Sequence, residues 1–275
     1  MRHFFAGCVV AILLSGPASP AAAQAPAPPQ LGQVSKDSVW VPTPERMIRR
    51  MLQIADVTPQ DLVIDLGSGD GRMPIHAARH FGARAIGVEL EENLVALSVR
   101  SAQAQGVSHL VRFLRQDLFE ADLSQATVLA LYISPGVMTR LKPRLLALKP
   151  GTRIVSHHFT LEDWEPEETV RTENRSAYLW VVPADARGSW SVSIPGQSLR
   201  LMVRQKHQEL EVRGERDGRP VAVIGAQLRG TEVRFTTFDT DGSSRHFRGQ
   251  VEGARMRGES EGIDILPLRW SATRD

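Results

Sequence analysis

A buried strand that breaks into closely spaced glycines constrains this chain more than any other feature. Residues 62–66 read Leu-Val-Ile-Asp-Leu, an apolar run typical of a strand buried on both faces of a sheet. Gly67, Gly69 and Gly71 follow, and a helix-like segment runs from Arg72 to Phe81. Glycine permits a tight turn and close approach of backbone N–H groups to a ligand, and the helix N-terminus favours an anion. The pattern predicts a nucleotide-cofactor loop, although any sharp strand–helix corner also uses glycine.

Strands and helices alternate after this loop. Apolar runs predict strands at 84–89, 110–114, 127–133 and 152–159, and helical spacing predicts helices at 45–55, 91–105 and 137–148. The first helix is expected to have Thr43 as its N-cap. Residues 170–172 and 177–182 are expected to form a closing antiparallel pair. The short connections favour a Rossmann-like, mainly parallel sheet with helices on both faces.

The rhythm of the sequence changes after Pro183. Helical periodicity stops, and short alternating runs separated by turn residues lie between Trp190 and Gly258. These runs predict a C-terminal antiparallel β module, either a meander or a small barrel. The fold class expected is therefore α/β, with a Rossmann-like sheet followed by this β module.

The N-terminus has the pattern of an export signal. Arg2 precedes a short apolar run at 4–14, and Ala21-Ala22-Ala23 offers a small-residue cleavage site. The other reading is a disordered tail behind a misassigned start codon. The run is shorter than the ~20 apolar residues of a membrane span, so no transmembrane segment is expected after signal removal.

The predicted organisation follows from these segments: a signal peptide at 1–23, a linker at 24–38, the α/β domain at 39–183 and the β module at 184–275. An exported or periplasmic location is expected, or a cytoplasmic one if the signal is not used.

Charge and metal-ligand content narrow the classes of function. A net charge of +2 over 275 residues does not indicate nucleic-acid binding, and no nucleic-acid partner is expected. The one cysteine, Cys8, lies in the predicted signal peptide, so the mature chain would lack a thiolate nucleophile and a cysteine zinc site. His76 and His80 have the i, i+4 spacing of metal ligands, but no third ligand accompanies them. They are interpreted as a surface pair, and no metal site is predicted.

Carboxylates follow three successive predicted strands, at Asp65, Glu89 and Asp117. Ligands of open α/β sheets bind beyond the carboxyl ends of the strands, so these side chains are expected at one site. Glu89 follows Asp65 at close to the roughly 20 residues that separate a glycine loop from a ribose-binding carboxylate. The glycines are spaced G-x-G-x-G, not G-x-G-x-x-G, which disfavours a nicotinamide-dependent oxidoreductase.

Residues 63–72, Val-Ile-Asp-Leu-Gly-Ser-Gly-Asp-Gly-Arg, resemble the first motif of the class I S-adenosylmethionine-dependent methyltransferases. Three further motifs add to the resemblance: Val41-Pro42-Thr43-Pro44, Gly87-Val88-Glu89-Leu90 and Gln116-Asp117-Leu118-Phe119. Within this superfamily the chain is similar to the small lysine methyltransferases that modify mitochondrial membrane carriers and the c-ring protein of ATP synthase, and to their bacterial relatives. The resemblance covers 41–183 and leaves the export signal and the β module outside.

The resemblance implies S-adenosyl-L-methionine as cofactor. Gly67, Gly69 and Gly71 would then pack under its methionine part. Asp65 would reach its amino group, directly or through a water, and Glu89 would hold the ribose hydroxyls.

The other motif residues would complete the same cofactor site. Leu90 would line the adenine, and Asp117 would accept a hydrogen bond from the adenine amino group. Thr43 would close over the cofactor, and Ser68 and Leu118 belong to the same binding motifs.

Tyr132 and His157 are the candidate catalytic residues. The fourth strand ends Leu-Tyr-Ile-Ser-Pro at 131–135, without the Asn/Asp-Pro-Pro-Tyr/Phe tetrapeptide of adenine and glutamine methyltransferases. This departure disfavours a planar amide or exocyclic amine acceptor and leaves Tyr132 as either a channel wall or a core aromatic. His157 is either a general base or a core residue, and it cannot share a site with His158 because neighbouring strand residues point to opposite faces.

The expected function is S-adenosylmethionine-dependent methyl transfer to a protein lysine, with a small-molecule acceptor as another possibility. The alternative is a non-catalytic exported binding protein that uses the β module and keeps the α/β domain as a scaffold. That alternative arises because the cofactor is made in the cytoplasm.

Overall fold

The computed structural model describes residues 30–32, 40–172, 174–239, 242–262 and 265–275. The predicted signal peptide at 1–23 and most of the linker at 24–38 lie outside the described residues. In the part of the chain that is described, no helix has both the length and the apolar character needed to cross a membrane.

The first half of the chain alternates between helices and strands, as predicted. Its elements are α1 (Glu45–Ile54), β1 (Leu62–Leu66), α2 (Arg72–Phe81), β2 (Arg84–Glu89), α3 (Glu92–Ala104), β3 (Val111–Arg115), β4 (Val128–Leu131), α4 (Pro135–Leu146), β5 (Arg153–His157), β6 (Glu168–Thr172) and β7 (Arg175–Val181). They form one 7-stranded sheet in the order β3-β2-β1-β4-β5-β7-β6. Strands β1 to β5 are parallel, and β7 pairs antiparallel with both β5 and β6. The Rossmann-like fold class is confirmed.

Both faces of this sheet are covered. On β1, Val63 packs into a core with α1, α2 and α3, while its neighbour Ile64 packs into a second core with α4. Adjacent strand residues point to opposite faces, so a strand buried on both sides has to be apolar throughout. The central strand β4, Val-Leu-Ala-Leu, is buried at every position for this reason.

Two local predictions about this domain are wrong. The N-cap of α1 is Pro44, without a side-chain cap, and the Thr43 hydroxyl bonds to Nδ1 of His157 instead. His76 is not at the surface: its side chain is 7% exposed, and burial and neighbouring positive charge lower its pKa to about 4. His76 lies on the buried side of α2, and the i, i+4 spacing between His76 and His80 does not predict which side of the helix is buried.

The β module is a closed antiparallel barrel. Its strands are β8 (Gly188–Ile194), β9 (Gln197–Lys206), β10 (Glu209–Arg216), β11 (Arg219–Arg229), β12 (Glu232–Phe238), β13 (Ser244–Glu252), β14 (Arg255–Gly262) and β15 (Ile265–Arg274). Phe235 and Phe247 stack inside it with ring centroids 4.5 Å apart, and Trp270 meets both rings edge-on. Gly249 leaves room for this indole, since a Cβ there would lie 2.5 Å from Trp270.

The barrel packs against the sheet through the turn between β9 and β10. His207 in this turn stacks on Trp164 with ring centroids 5.6 Å apart, and Gln208 Nε2 donates to the carbonyl of Glu165 at 2.8 Å. Trp164 is fully buried, and its carbonyl accepts the indole N–H of Trp180 at 2.7 Å. The barrel turn therefore covers Trp164, which in turn contacts Trp180.

Candidate active site

A cleft opens at the carboxyl ends of β1, β2 and β4, where the sequence predicts the site. It encloses about 990 Å³, part of which is open solvent. Its walls include the three predicted carboxylates, Asp65, Glu89 and Asp117, so the strand-end pattern brings them to one place. Leu90, Leu118, Thr43 and Tyr132 also line it.

The glycine loop forms the floor of the cleft. Gly67, Gly69 and Gly71 have φ values of 75°, 55° and 77°, which residues with a side chain rarely adopt. Gly67, Ser68 and Gly69 line the cleft, but Gly71 does not. A Cβ at Gly71 would lie 2.6 Å from Phe113, so glycine there is required by packing beneath the loop.

Glu89 joins the loop to the end of β2. One of its oxygens accepts the N–H of Gly69 at 2.9 Å, and the other accepts those of Leu90 at 2.7 Å and Glu91 at 3.0 Å. The side chain is 8% exposed, and burial raises its pKa although the three N–H groups oppose that shift. A carboxylate offers about four acceptor positions, so Glu89 keeps capacity for a further donor in the cleft.

Asp65 is the most perturbed acid of the site. It is 7% exposed, and burial, reinforced by the charges of Glu89 and Asp70, raises its pKa to about 8. Without a cation beside it, Asp65 is therefore mostly protonated at neutral pH. A positively charged group in the cleft would reverse this shift, because an opposite charge favours the carboxylate.

The turn after β3 forms the end of the cleft nearest to that strand. Asp117 and Leu118 of this turn line the cleft together with Leu90 of the loop after β2. One oxygen of Asp117 accepts the N–H of Phe119 at 2.9 Å, which closes the turn. The N–H of Gln116 donates to the carbonyl of Glu89 at 3.0 Å and aligns the turn with the end of β2.

Residues 40–43 form a strap along the cleft that sequence reasoning only partly anticipated. Trp40 lies on the glycine loop, and a Cβ at Gly69 would come within 2.6 Å of its indole nitrogen. Arg72, which is paired with Asp70, donates from Nη1 to the carbonyl of Thr43 at 3.2 Å. The position of Trp40 just before the Val-Pro-Thr-Pro motif was the signal that could have identified it.

Tyr132 and His157 lie together, but only Tyr132 lines the cleft. Their rings are tilted by 41° with centroids 4.1 Å apart. His157 is fully buried, and burial, followed by nearby Arg175 and His158, lowers its pKa to about 4, so it is neutral at pH 7. Nδ1 of His157 lies 3.1 Å from the hydroxyl of Thr43. His157 therefore contacts two residues that line the cleft, Thr43 and Tyr132, without lining it itself.

Comparison with known proteins decides the family. The chain is 41% identical over 149 residues to a protein-lysine N-methyltransferase of Saccharolobus islandicus, a match that covers 52% of this chain and 92% of that protein. The model of the ANTKMT methyltransferase domain matches residues 65–168. The chain belongs to this family of S-adenosylmethionine-dependent methyltransferases.

Further relatives of the methyltransferase are known from animals. It is 35% identical to a mouse adenine nucleotide translocase lysine N-methyltransferase. It is 31% identical to a Xenopus laevis lysine N-methyltransferase that is named for the C protein of ATP synthase. These matches cover 48% and 46% of this chain and only 57% and 56% of the relatives.

A solved structure also resembles it. This is an RNA methyltransferase from Salinibacter ruber in complex with S-adenosyl-L-homocysteine, 47% identical, with a TM-score of 0.52 over 53% of this chain and 95% of that one.

The cleft of the methyltransferase fits its cofactor, S-adenosylmethionine. Asp65 is buried in the lining of the cleft, where the amino group of a ligand would stabilise its carboxylate form. Gly67 and Gly69 expose backbone along the floor, and Glu89 keeps free acceptor positions for hydroxyl groups. Acceptor groups are thus available for the amino and hydroxyl groups of the nucleoside.

Proposed function

We propose that this methyltransferase methylates the ε-amino group of lysine in a protein substrate. The aromatic lining of the cleft carries this proposal, since Trp40 and Tyr132 both line it. Aromatic faces attract a lysine side chain both as an apolar stem and as a cation. The names of the archaeal and mouse relatives, both lysine methyltransferases, support the same acceptor.

The cofactor residues proposed are those of the cleft. Asp65 binds the amino group, Glu89 the ribose hydroxyls, and Asp117 the adenine amino group, with Leu90 and Leu118 against the adenine. The remaining proposed contacts come from the floor and the strap: Gly67, Ser68, Gly69 and Thr43. Gly71 supports the floor from beneath.

The chemistry needs a neutral amine held in line with the reactive methyl group. The cofactor supplies that methyl group on a sulfonium centre. A lysine ammonium has a pKa near 10.4 in water; burial favours its neutral form, and its proton leaves to solvent before the methyl group is transferred to the nitrogen. Tyr132 forms the wall that excludes water from the amine, and His157 holds Tyr132 and Thr43 in position without touching the substrate.

Transfer of isotope-labelled methyl groups tests the acceptor. The full chain is incubated with labelled S-adenosylmethionine and either total protein or total RNA of the expression host, followed by hydrolysis and mass spectrometry. Labelled methyl-lysine in the protein arm is expected. Label confined to RNA, or a stable protein that binds cofactor and transfers nothing, would contradict the proposal.

Tyrosine variants test the wall. Tyr132→Leu removes the aromatic face and should reduce kcat, while the Kd of S-adenosylhomocysteine stays unchanged. Tyr178→Leu is the matched control, since the chain has 2 tyrosines and Tyr178 packs on Trp180 and does not line the cleft. Equal kcat for the two variants would remove Tyr132 from the reaction.

We also propose that residues 1–23 direct export. The support is the sequence pattern of Arg2, the apolar run and the triple alanine. Fusion of residues 1–30 to a reporter that is active only outside the cytoplasm tests it. An inactive reporter of normal expression level would indicate a cytoplasmic methyltransferase.

A further inference from the structure

One arginine on α4 reaches the turn after β3, which forms one end of the cleft. Arg144 donates from Nη2 to the carbonyl of Ala121 at 2.6 Å and from Nη1 to that of Leu118 at 3.2 Å. The same Nη1 also donates to the carbonyl of Phe119. A single guanidinium therefore binds three carbonyls of one short turn.

The turn itself is held mainly by local contacts. Within it, Phe119 donates its N–H to the Asp117 carboxylate, Glu120 donates its N–H to the Asp117 carbonyl at 3.0 Å, and Gln116 Nε2 donates to the Glu120 carbonyl at 3.1 Å. Such bonds close the turn, and the N–H of Gln116, which donates to the carbonyl of Glu89, ties only its first residue to the end of β2. Arg144 comes from a different element, and Arg140, one turn earlier on α4, lies 4.0 Å from the centre of the Phe119 ring.

The residues that Arg144 holds include part of the cleft wall. Leu118 and its neighbour Asp117 both line the cleft, whereas Arg144 does not. Hydrogen bonds from a charged donor are stronger than bonds between neutral groups. The guanidinium fork also fixes direction, which a lysine ammonium does not do to the same extent.

We propose that Arg144 is a positioning residue for the cofactor: it sets the orientation of Asp117 and Leu118 and thereby the selectivity of the site for adenine. This inference rests on the proposed function, in which Asp117 accepts the adenine amino group. Arg144 touches neither the cofactor nor the acceptor.

The test measures binding of two nucleosides to the full chain by calorimetry. S-adenosylhomocysteine carries the adenine amino group, and S-inosylhomocysteine carries an oxo group in its place. Wild type should prefer the adenine compound. In Arg144→Met, the Kd of S-adenosylhomocysteine should rise roughly ten-fold, equivalent to about 1.4 kcal/mol, and the preference should shrink. Arg144→Lys should lie between the two.

Lys142→Met is the matched control on the same helix. Lys142 contacts Asp163 and Glu162 on a different loop, away from the turn after β3. Its variant should bind both nucleosides as wild type does. If Arg144→Met does not fold, Arg144→Lys against Lys142→Met gives the same comparison.

The outcomes separate this inference from the proposed function. A preference in wild type that is unchanged in Arg144→Met, or an equal loss of affinity for both nucleosides, would overturn the role of Arg144 alone. A wild type without any preference would remove the adenine contact of Asp117 and the role of Arg144 with it. A wild type that binds neither compound would overturn the cofactor site itself.

Discussion

Glu89 and Gly69, which both line the cleft, are joined by a hydrogen bond, with the carboxylate oxygen of Glu89 2.9 Å from the backbone nitrogen of Gly69. The second oxygen binds the N–H groups of Leu90 and Glu91. One side chain therefore fixes the floor of the cleft relative to the end of β2 while it keeps acceptor positions towards the ligand. The proposed ribose site and the glycine loop are therefore held together by the Glu89 side chain.

Replacement of Glu89 should weaken cofactor binding. Glu89→Ala removes the proposed ribose acceptor and releases the Gly69 N–H, and charge-assisted bonds contribute about 1.5–3 kcal/mol each. The Kd of S-adenosylhomocysteine, measured by calorimetry, should rise at least ten-fold, the effect of about 1.4 kcal/mol. The control is Glu92→Ala, since Glu92 is 61% exposed and pairs with Arg115. Equal Kd values in the two variants would place the ribose elsewhere.

A side chain at Gly69 should disturb the strap. Gly69→Ala places a methyl group 2.6 Å from the Trp40 indole nitrogen at a φ of +55°, so the indole has to move and the backbone is strained. We expect weaker S-adenosylhomocysteine binding and a changed tryptophan fluorescence spectrum. Gly136→Ala on α4 meets nothing within 4 Å and should leave both unchanged. Unaltered binding in Gly69→Ala would show that the cofactor does not need the floor at this position.

Cofactor binding should release a proton from Asp65. Its pKa of about 8 in the ligand-free protein makes it mostly protonated at pH 7, and a bound cationic amino group would lower that pKa. Affinity for S-adenosylhomocysteine should therefore rise as the pH increases towards 8.

Calorimetry at pH 7 in buffers of different ionisation enthalpy measures this proton release. In Asp65→Asn the release should disappear and affinity should fall. Proton uptake on binding would contradict this account.

Asp65 should also make the unfolding free energy of the ligand-free protein depend on pH. In the unfolded chain Asp65 titrates near 3.8, and in the folded protein its pKa is about 8. Between these values the folded state binds more protons, so the contribution of Asp65 to stability falls as the pH rises from about 4 to 8. Asp65→Asn should flatten this part of the dependence of the unfolding free energy on pH, measured by urea titration.

The barrel should stabilise the methyltransferase domain. His207→Ala removes the ring that stacks on buried Trp164, and a loss of about 1–2 kcal/mol would lower Tm by several degrees in a protein of this size. Calorimetry should find one unfolding transition, shifted in the variant. The exposed pair of Arg257 and Glu252, on another turn of the barrel, supplies the control Arg257→Ala. Two separate transitions, with only the barrel affected, would contradict the coupling.

Local sequence patterns were sufficient to predict much of the fold. Periodicity located every helix and strand of the first domain, because a strand buried on both faces is apolar throughout and a helix has a fixed spacing. In the barrel, β15 was missed because Pro267 interrupts its pattern. The structure places Pro267 where the register between β14 and β15 shifts, a position that tolerates proline.

The site was predictable only where its residues follow strands. Asp65, Glu89 and Asp117 were recognisable because parallel strands end at one edge of a sheet. Thr43 looked like an N-cap, yet its hydroxyl bonds to His157, a contact between residues 114 positions apart. His157 was a candidate base, but in the structure it is fully buried and contacts Thr43 and Tyr132.

The sequence by itself determined the α/β alternation, the glycine loop and the edge of the sheet where the cleft lies, since these depend on backbone geometry and local spacing. Tertiary structure alone decided that Trp40 lies on Gly69, that Arg144 holds the turn of Asp117, and that a barrel turn covers Trp164. These contacts join distant segments, and their existence depends on packing and burial, which no local pattern encodes.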